Sequence, residues 1–282
     1  VNEGAPQTVA QAIARAAGLL ALTSDTARLD AEVLMAHALG CGRSDLLLRR
    51  MGDAAPACFA DMVQRRAAHT PVAHITGEQD FYGLPFRVTP DTLIPRGDSE
   101  TLIDLAQQVF AAGAGRVLDL GTGTGCLLLT MLHLWPDARG VGIERSAPAR
   151  GVAQGNAGAL DLAARADIRD GDWTQDGWAD GLGQFDLILS NPPYVETGAD
   201  LARSVRDHEP ASALFAGADG LDDYRVLIPQ LPGLLAPGGV AIVEIGHQQG
   251  EAVAAIGAES GFAPSVHADL AGRARAVMLR PR

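Results

Sequence analysis

Lysine is absent from the 282 residues: all 22 basic side chains are arginine, set against 34 acidic ones for a formal charge of −12. Without that amine the chain cannot form a Schiff base with a substrate or with pyridoxal phosphate, and it cannot close a Walker-type phosphate loop on Gly-Lys-Ser/Thr. The excess of acid also argues against sequence-independent binding to DNA or RNA, because such binding neutralises phosphates with clustered positive charge. Cysteine is scarce. Cys41, Cys58 and Cys126 form an odd set with no C-x-x-C pair, so no disulfide framework is expected. The histidines (His37, His69, His74, His133, His208, His247 and His267) show no HExxH or other ligand spacing, and no metal site is expected. Neither a leader nor a membrane span is expected. The opening VNEGAPQTVA has neither a basic n-region nor an apolar h-region, and the most hydrophobic long stretch, Leu227 to Ile245, is broken by Pro229, Pro232, Pro237 and Gly238–Gly239. A soluble cytoplasmic protein is expected.

What is present is ordinary globular material. Hydrophobic residues make up 47% and charged residues 20%, enough for a sizeable core in a chain of two domains at the usual ~100–200 residues each. Residues 1–73 read as helices only. Val9, Ile13, Ala17 and Leu20 recur at helical spacing; Leu29, Val33, Ala36 and Leu39 do so again after Ser24–Asp25, which can cap, with Gly40 placed to end that helix. A third helix is expected from about Ala57 to Ala68, before Pro71. Residues 74–96 change to short extended pieces, and Gly83-Leu84-Pro85 between Phe81–Tyr82 and Phe86–Val88 predicts a hairpin linker.

Residues 97–282 alternate strand and helix. Strands are expected at RVLDL (116–120), VGIE (141–144), near Ile168, at FDLIL (185–189), VAIVEI (240–245) and AVMLR (276–280). Helices are expected from near Asp98, after the glycine turn up to Trp135-Pro136, from about Pro148 to Leu160, Leu221 to Leu235 and Glu251 to Ser260. Such alternation implies an α/β fold with a mostly parallel sheet covered by helices on both faces, and a ligand at the carboxyl ends of its strands. The acidity is uneven: residues 86–282 carry 15 arginines and 25 acids, a net −10.

Chemistry gathers at those strand ends. Asp119-Leu-Gly-Thr-Gly-Thr-Gly125 joins the first strand to its helix; its glycines allow left-handed backbone and close approach to a ligand, although such a turn can also be purely structural. Gly121, Gly123 and Gly125 with Thr122 and Thr124 fit G-x-G-x-G, and Cys126 stands where the dinucleotide pattern needs its last glycine, which leans away from NAD. Glu144, about twenty residues on, ends the second strand, where an acid can accept hydrogen bonds from both ribose hydroxyls or simply face water. Asp172-Trp173 follows the third strand; a carboxylate there can meet an adenine amino group and an indole can cover the ring, or the Trp can be core.

Ser190-Asn191-Pro192-Pro193-Tyr194 decides the class. An amide or aromatic amine nitrogen is a poor nucleophile because its lone pair is delocalised. The Asn191 side-chain carbonyl and the Pro192 backbone carbonyl can accept both of its N–H hydrogens and turn the lone pair towards a methyl donor, while Tyr194 packs flat on the planar group. The glycine turn, the strand-end acid and this turn together resemble S-adenosylmethionine-dependent methyltransferases acting on exocyclic or amide nitrogens.

The flanking segments narrow the resemblance. PVAHITGEQDFYGLPFRVTPDTLIPRGDSE (71–100), DLGTGTG (119–125), SNPPY (190–194), HEPASALFAGADGLDDYR (208–225), EIGHQQG (244–250) and DLAGRAR (269–275) resemble the HemK family of release factor glutamine-N5 methyltransferases. The likeness is dense from residue 71 onward; residues 1–70 match mainly in helical character. It implies a Rossmann-like methyltransferase sheet behind a helical substrate-recognition domain. It also implies S-adenosylmethionine as cofactor and, as substrate, the glutamine of the Gly-Gly-Gln motif in peptide chain release factors, a modification that modulates translation termination. Carried over residue by residue, Gly121 to Gly125, Glu144, Trp173 and Asn191 contact the cofactor, and Asn191, Pro192, Pro193 and Tyr194 bind the glutamine amide, with Asn191, Pro192 and Tyr194 catalytic. Two positions depart from the family pattern. Gly97 stands in Pro95-Arg-Gly-Asp-Ser-Glu100 where proline is common, and Glu144 where aspartate is common.

Three other readings share part of this pattern. An adenine-N6 methyltransferase of DNA or RNA is permitted by Asn-Pro-Pro-Tyr but opposed by the −12 charge and the lack of a basic module. A glutamine methyltransferase for a ribosomal protein would share the turn, but segments 208–225 and 269–275 favour release factors. A non-enzymatic binding module is disfavoured because cofactor and acceptor motifs are both intact. No membrane and no direct nucleic-acid partner are expected.

Overall fold

The computed structural model describes residues 7–282, which form two compact units. The first contains the described residues up to Glu78 together with Leu201–His208. Its helices are α1 (Val9–Leu20), α2 (Ala27–Ala38), the short α3 (Arg43–Asp45), α4 (Phe59–Ala67) and α5 (Val72–Thr76). α1 starts in a capping box: the Thr8 hydroxyl accepts from the Gln11 amide and the Gln11 side chain accepts from the Thr8 amide. It buries Val9, Ile13, Ala16 and Leu20.

α2 turns a different face inward than its spacing predicts. Leu29 is exposed and Val33 half-buried, while Ala31, Leu34 and Met35 are buried along with Asp30 and Glu32. The acids come in because each meets arginine: Arg66 lies 2.6 Å from Asp30, and Arg28 and Arg43 lie 2.6 and 2.7 Å from Glu32. Ser24 and Thr26 donate their hydroxyls to Asp30 at 2.7 and 2.8 Å, so no side chain caps the helix. Gly40 does end the helical run, with a left-handed φ of 61°.

A two-stranded hairpin, β1 (Glu78–Phe81) and β2 (Leu84–Arg87), leads into the second unit. Its turn lies one residue before the expected one: Tyr82 and Gly83 both have positive φ (51° and 76°), the primed geometry that matches strand twist, and Pro85 sits in β2.

The second unit continues with α6 (Glu100–Val109), β3 (Arg116–Leu120), α7 (Cys126–Leu134), β4 (Arg139–Glu144), α8 (Ala147–Ala159), β5 (Ala166–Asp170) and β6 (Phe185–Ser190). After one helical turn, α9 (Arg203–Arg206), that clusters with the first unit, it resumes with α10 (Asp222–Leu227), β7 (Leu235–Glu244), α11 (Gly250–Glu259), β8 (Phe262–Ala268) and β9 (Ala274–Pro281). The helix expected to reach Leu235 tightens to a 3-10 helix at Ile228–Leu234, since Pro229 and Pro232 have no N–H to donate.

The strands form one seven-stranded sheet in the order β5-β4-β3-β6-β7-β9-β8, parallel except for β9, which runs antiparallel to both neighbours. Alternate residues feed two cores. Val117, Leu187, Leu189, Val240 and Ile242 pack on one side with α6, α7 and α8, and Leu118, Leu120, Ile188, Ala241 and Val243 on the other with α10 and α11. This is the expected Rossmann-like doubly wound sheet. Its strand order reverses at β3, which pairs with β4 (Leu120 opposite Ile143) on one side and β6 (Leu120 opposite Ser190) on the other. That switch point brings the glycine turn beside the Asn-Pro-Pro-Tyr turn.

Candidate active site

The turn after β3 folds over the end of β4: the amides of Gly121 and Thr122 both donate to the Ile143 carbonyl, at 2.9 and 3.0 Å. Gly121, Gly123 and Gly125 all have left-handed φ. At Gly121 a Cβ would also come within 3.2 Å of the Trp173 ring. Beneath the turn Asp119 is buried; its Oδ2 accepts from the Thr122 hydroxyl at 2.6 Å. Burial, and then the nearby Glu144 charge, push its carboxyl up to about 7 against the pull of that bond.

Glu144 bridges two backbone amides. Oε2 accepts from Gly123 at 3.1 Å and Oε1 from Ser146 at 2.9 Å. The additional methylene of glutamate carries the carboxylate back to the glycine turn, and each oxygen retains a lone pair for a ligand hydroxyl. Asp172 accepts from the amide and hydroxyl of Thr174 at 2.9 and 2.7 Å, with Arg145 4.0 Å away. Burial opposes its ionisation, yet these partners outweigh it and hold the carboxyl below its ordinary range. Trp173 is buried and donates its indole N–H to Asp223 at 3.0 Å. It is at once part of the core and part of the cleft wall.

Asn191 follows β6. Its Nδ2 lies 3.5 Å from the Ser99 hydroxyl, leaving the carboxamide oxygen as an acceptor. The far end of its turn is secured at Tyr194. Tyr194 donates its hydroxyl to Glu244 Oε1 at 3.3 Å, and its backbone carbonyl accepts from Gln249 Nε2 at 3.0 Å. Gly220 is obligatory there: a Cβ would stand 2.3 Å from the Tyr194 carbonyl oxygen. Opposite, Glu209 accepts from the Ile94 amide at 3.2 Å and pairs with Arg96, anchoring the 91–96 loop.

These elements line a cleft whose space, counted out to open solvent, is about 920 Å³. Of the residues singled out from sequence, Gly121, Thr122, Gly123, Thr124, Glu144, Asp172, Trp173, Asn191 and Pro193 line it. Gly125 stands behind the wall as the residue before α7, Pro192 is buried, and the Tyr194 hydroxyl is turned to Glu244. Sequence reasoning passed over Ser99, Glu209 and Glu244; all three lie inside matched segments but carry no local signature of their own. Cys126 also borders the cleft, and burial pushes its thiol up to about 12, so it is no nucleophile at neutral pH. Gly97 opens a 3-10 turn with ordinary backbone and open space around it, so its departure from proline leaves the local path intact. Among the described residues no group of His, Cys, Asp and Glu could hold a metal ion, and no helix is long and apolar enough to cross a membrane.

Residues 11–77 match the family model for the PrmC N-terminal domain, and residues 98–208 that for the methyltransferase small domain. A Bradyrhizobium diazoefficiens protein named release factor glutamine methyltransferase is 41% identical over 276 residues, covering 94% of this chain and 92% of its own. The chain belongs to the release factor glutamine methyltransferase family. A family member of the same name from Cereibacter sphaeroides is 44% identical over 268 residues, 93% of this chain and 94% of its own. Solved structures share the fold. A ribosomal protein L11 methylase from Lactobacillus delbrueckii subsp. bulgaricus aligns with a TM-score of 0.50 at 21% identity, over 72% of this chain and 90% of its own. A methyltransferase from Pyrococcus furiosus aligns at 0.51 and 15%, over 78% and 96%.

The chain is thus an S-adenosylmethionine-dependent methyltransferase, and the cleft fits that cofactor. Glycine at 121 and 123 leaves bare backbone at the turn, Glu144 offers two acceptor oxygens, and the Trp173 ring lies against the same turn.

Proposed function

We propose that this enzyme methylates the N5 amide nitrogen of the glutamine in the Gly-Gly-Gln motif of peptide chain release factors, and so modulates translation termination. The observation that carries the reading is Asn191, tethered through its Nδ2 beside Ser99 so that its carbonyl oxygen is the acceptor offered to the cleft next to the glycine turn. S-adenosylmethionine supplies an electrophilic sulfonium methyl group. The chain has to make a delocalised amide nitrogen attack it. Asn191 Oδ1 and the Pro192 carbonyl accept the two amide hydrogens, favour a more tetrahedral nitrogen and aim its lone pair, and Pro193 and Tyr194 confine the amide plane. The proton leaves to water after transfer, so no side chain serves as general base.

For the cofactor, Gly121, Thr122, Gly123, Thr124 and Gly125 receive its amino-acid and ribose portions, Glu144 the ribose hydroxyls, and Asp172 and Trp173 the adenine. Asn191 touches cofactor and substrate alike. Residues 1–73 read the release factor, 74–96 link, and 97–282 carry the chemistry. The family membership supports release factors over a ribosomal protein, and the net −10 of residues 86–282 suits a basic protein loop over nucleic acid in a cytoplasmic enzyme.

Asn191→Ala tests the positioning role. With a release factor as substrate, kcat is expected to fall about 100-fold, as for loss of one preorganised dipole, with cofactor affinity only partly weakened. Near-normal turnover would refute the assignment.

A further inference from the structure

Glu244 ends β7 with 1% of its surface exposed, and among the described residues no arginine lies within ion-pair distance of it. Arg275, the nearest cation that favours its charge, is spent on Asp98 at 2.7 Å and Asp269 at 3.3 Å. Glu244 Oε1 accepts from Tyr194, and Oε2 is buried with no hydrogen-bond partner of regular geometry, although the Ser99 hydroxyl beside it favours the ionised form. Tyr224 meanwhile fixes the strand end itself, donating to the Glu244 backbone carbonyl at 2.7 Å. A carboxyl placed this way destabilises the fold relative to an apolar side chain of the same size. Its neighbours explain its presence: Tyr194, which donates to it, is one end of the Asn-Pro-Pro-Tyr turn, and Ser99, which favours its charge, accepts from Asn191 at the other.

We propose that Glu244 is a positioning residue for methyl transfer, one carboxyl that holds both ends of the acceptor turn, Tyr194 directly and Asn191 through Ser99. The inference rests on the role given to Asn191 above. Hydrogen-bond polarity makes it specific. As a carboxylate Glu244 can only accept, so Ser99 donates to it and must accept from Asn191 Nδ2, which leaves the Asn191 oxygen for the substrate amide. A glutamine at 244 can donate to Ser99 instead. The serine hydroxyl is then free to donate to the Asn191 oxygen, and the carboxamide turns its NH2 to the cleft, where it repels the hydrogens it should accept.

The test uses the full-length enzyme with S-adenosylmethionine and a release factor. Glu244→Gln and Ser99→Ala are each expected to lower kcat about tenfold, the worth of one hydrogen bond, while cofactor affinity measured by calorimetry stays within about twofold. The double variant should be no worse than the worse single one, because both break one chain of bonds. The kcat of the parent should also rise with pH through about 7 as Glu244 ionises, amid Tyr194, Tyr224, Asp98, Cys126 and the Arg275–Asp269 pair, and Glu244→Gln should lose that rise. Normal kcat in both variants, additive losses, or a fall in cofactor affinity matching that in kcat would each overturn the proposal. Should Glu244→Gln not fold, Ser99→Ala decides alone. Turnover surviving in Asn191→Ala would mark failure of the underlying reading; an inactive Asn191→Ala beside a normal Glu244→Gln would sink this inference only.

Discussion

Asp119 holds a carboxyl near the end of β3 with the Thr122 hydroxyl on Oδ2 and no hydrogen-bond partner of regular geometry for the buried Oδ1, although the nearby Leu128 amide also favours its charge. Its ordinary value of 3.8 rises to about 7 in the fold, chiefly through burial. The folded state therefore binds this proton more tightly than the unfolded chain. The resulting stabilisation is complete below pH 3.8 and disappears as pH climbs through about 7. Every tenfold gain in proton affinity contributes about 1.4 kcal/mol to it. Asp119→Asn should flatten this dependence: in urea unfolding, the variant should gain on the parent steadily between pH about 4 and about 7. Curves that stay parallel over that range would contradict it. Residues such as Asn191 and Glu144 were legible in the sequence because a few neighbours in the chain define their setting. Ser99 was not, since its meaning comes from Asn191, 92 positions away. Glu209 likewise acts on Ile94, 115 positions away.

Strands buried on both faces were the most legible elements: β3 and β6 fall within a residue of their expected bounds because mostly apolar runs, each interrupted by one aspartate, end at polar turns. β8 escaped notice. It is an edge strand with only Phe262 buried and a proline at 264, so it has neither alternation nor an apolar run, and the pairing with β9 defines it. The buried face of α2 was misjudged for a related reason: periodicity assigns acids to the outside, whereas arginines from three places in the chain draw Asp30 and Glu32 inward. Among the loops, 91–96 depends on Glu209, whose side chain is almost fully buried. Glu209→Ala should strip the Ile94 amide of its acceptor and Arg96 of its partner, with a loss of about 2 kcal/mol in thermal unfolding and weaker cofactor binding by calorimetry. Glu209→Gln keeps an acceptor and should recover most of both. An unaltered melting temperature in the alanine variant would show that the loop is held by something else.

At the scale of the molecule, the doubly wound sheet was readable from the βα alternation, and its switch point explains why turns seventy residues of sequence apart border one cleft: Ser190 donates its hydroxyl to the Leu120 carbonyl at 2.8 Å, with a separation of 70 positions. The missing lysine also finds its place there. The proposed site, built on a carboxamide, backbone carbonyls and an aromatic ring, needs no amine, and on that reading the net −10 of residues 86–282 suits a basic protein partner. What composition could not convey is the identity of that partner, which rests on matched segments and on relatives that align over nearly the whole chain. The most direct measurement is peptide mass spectrometry of a purified release factor before and after incubation with the enzyme and S-adenosylmethionine. The account predicts a gain of one CH2 unit on the Gly-Gly-Gln peptide, assigned by fragmentation to the glutamine side chain. An unmodified peptide in the presence of folded, cofactor-binding enzyme, or a methyl group on any other residue, would contradict it.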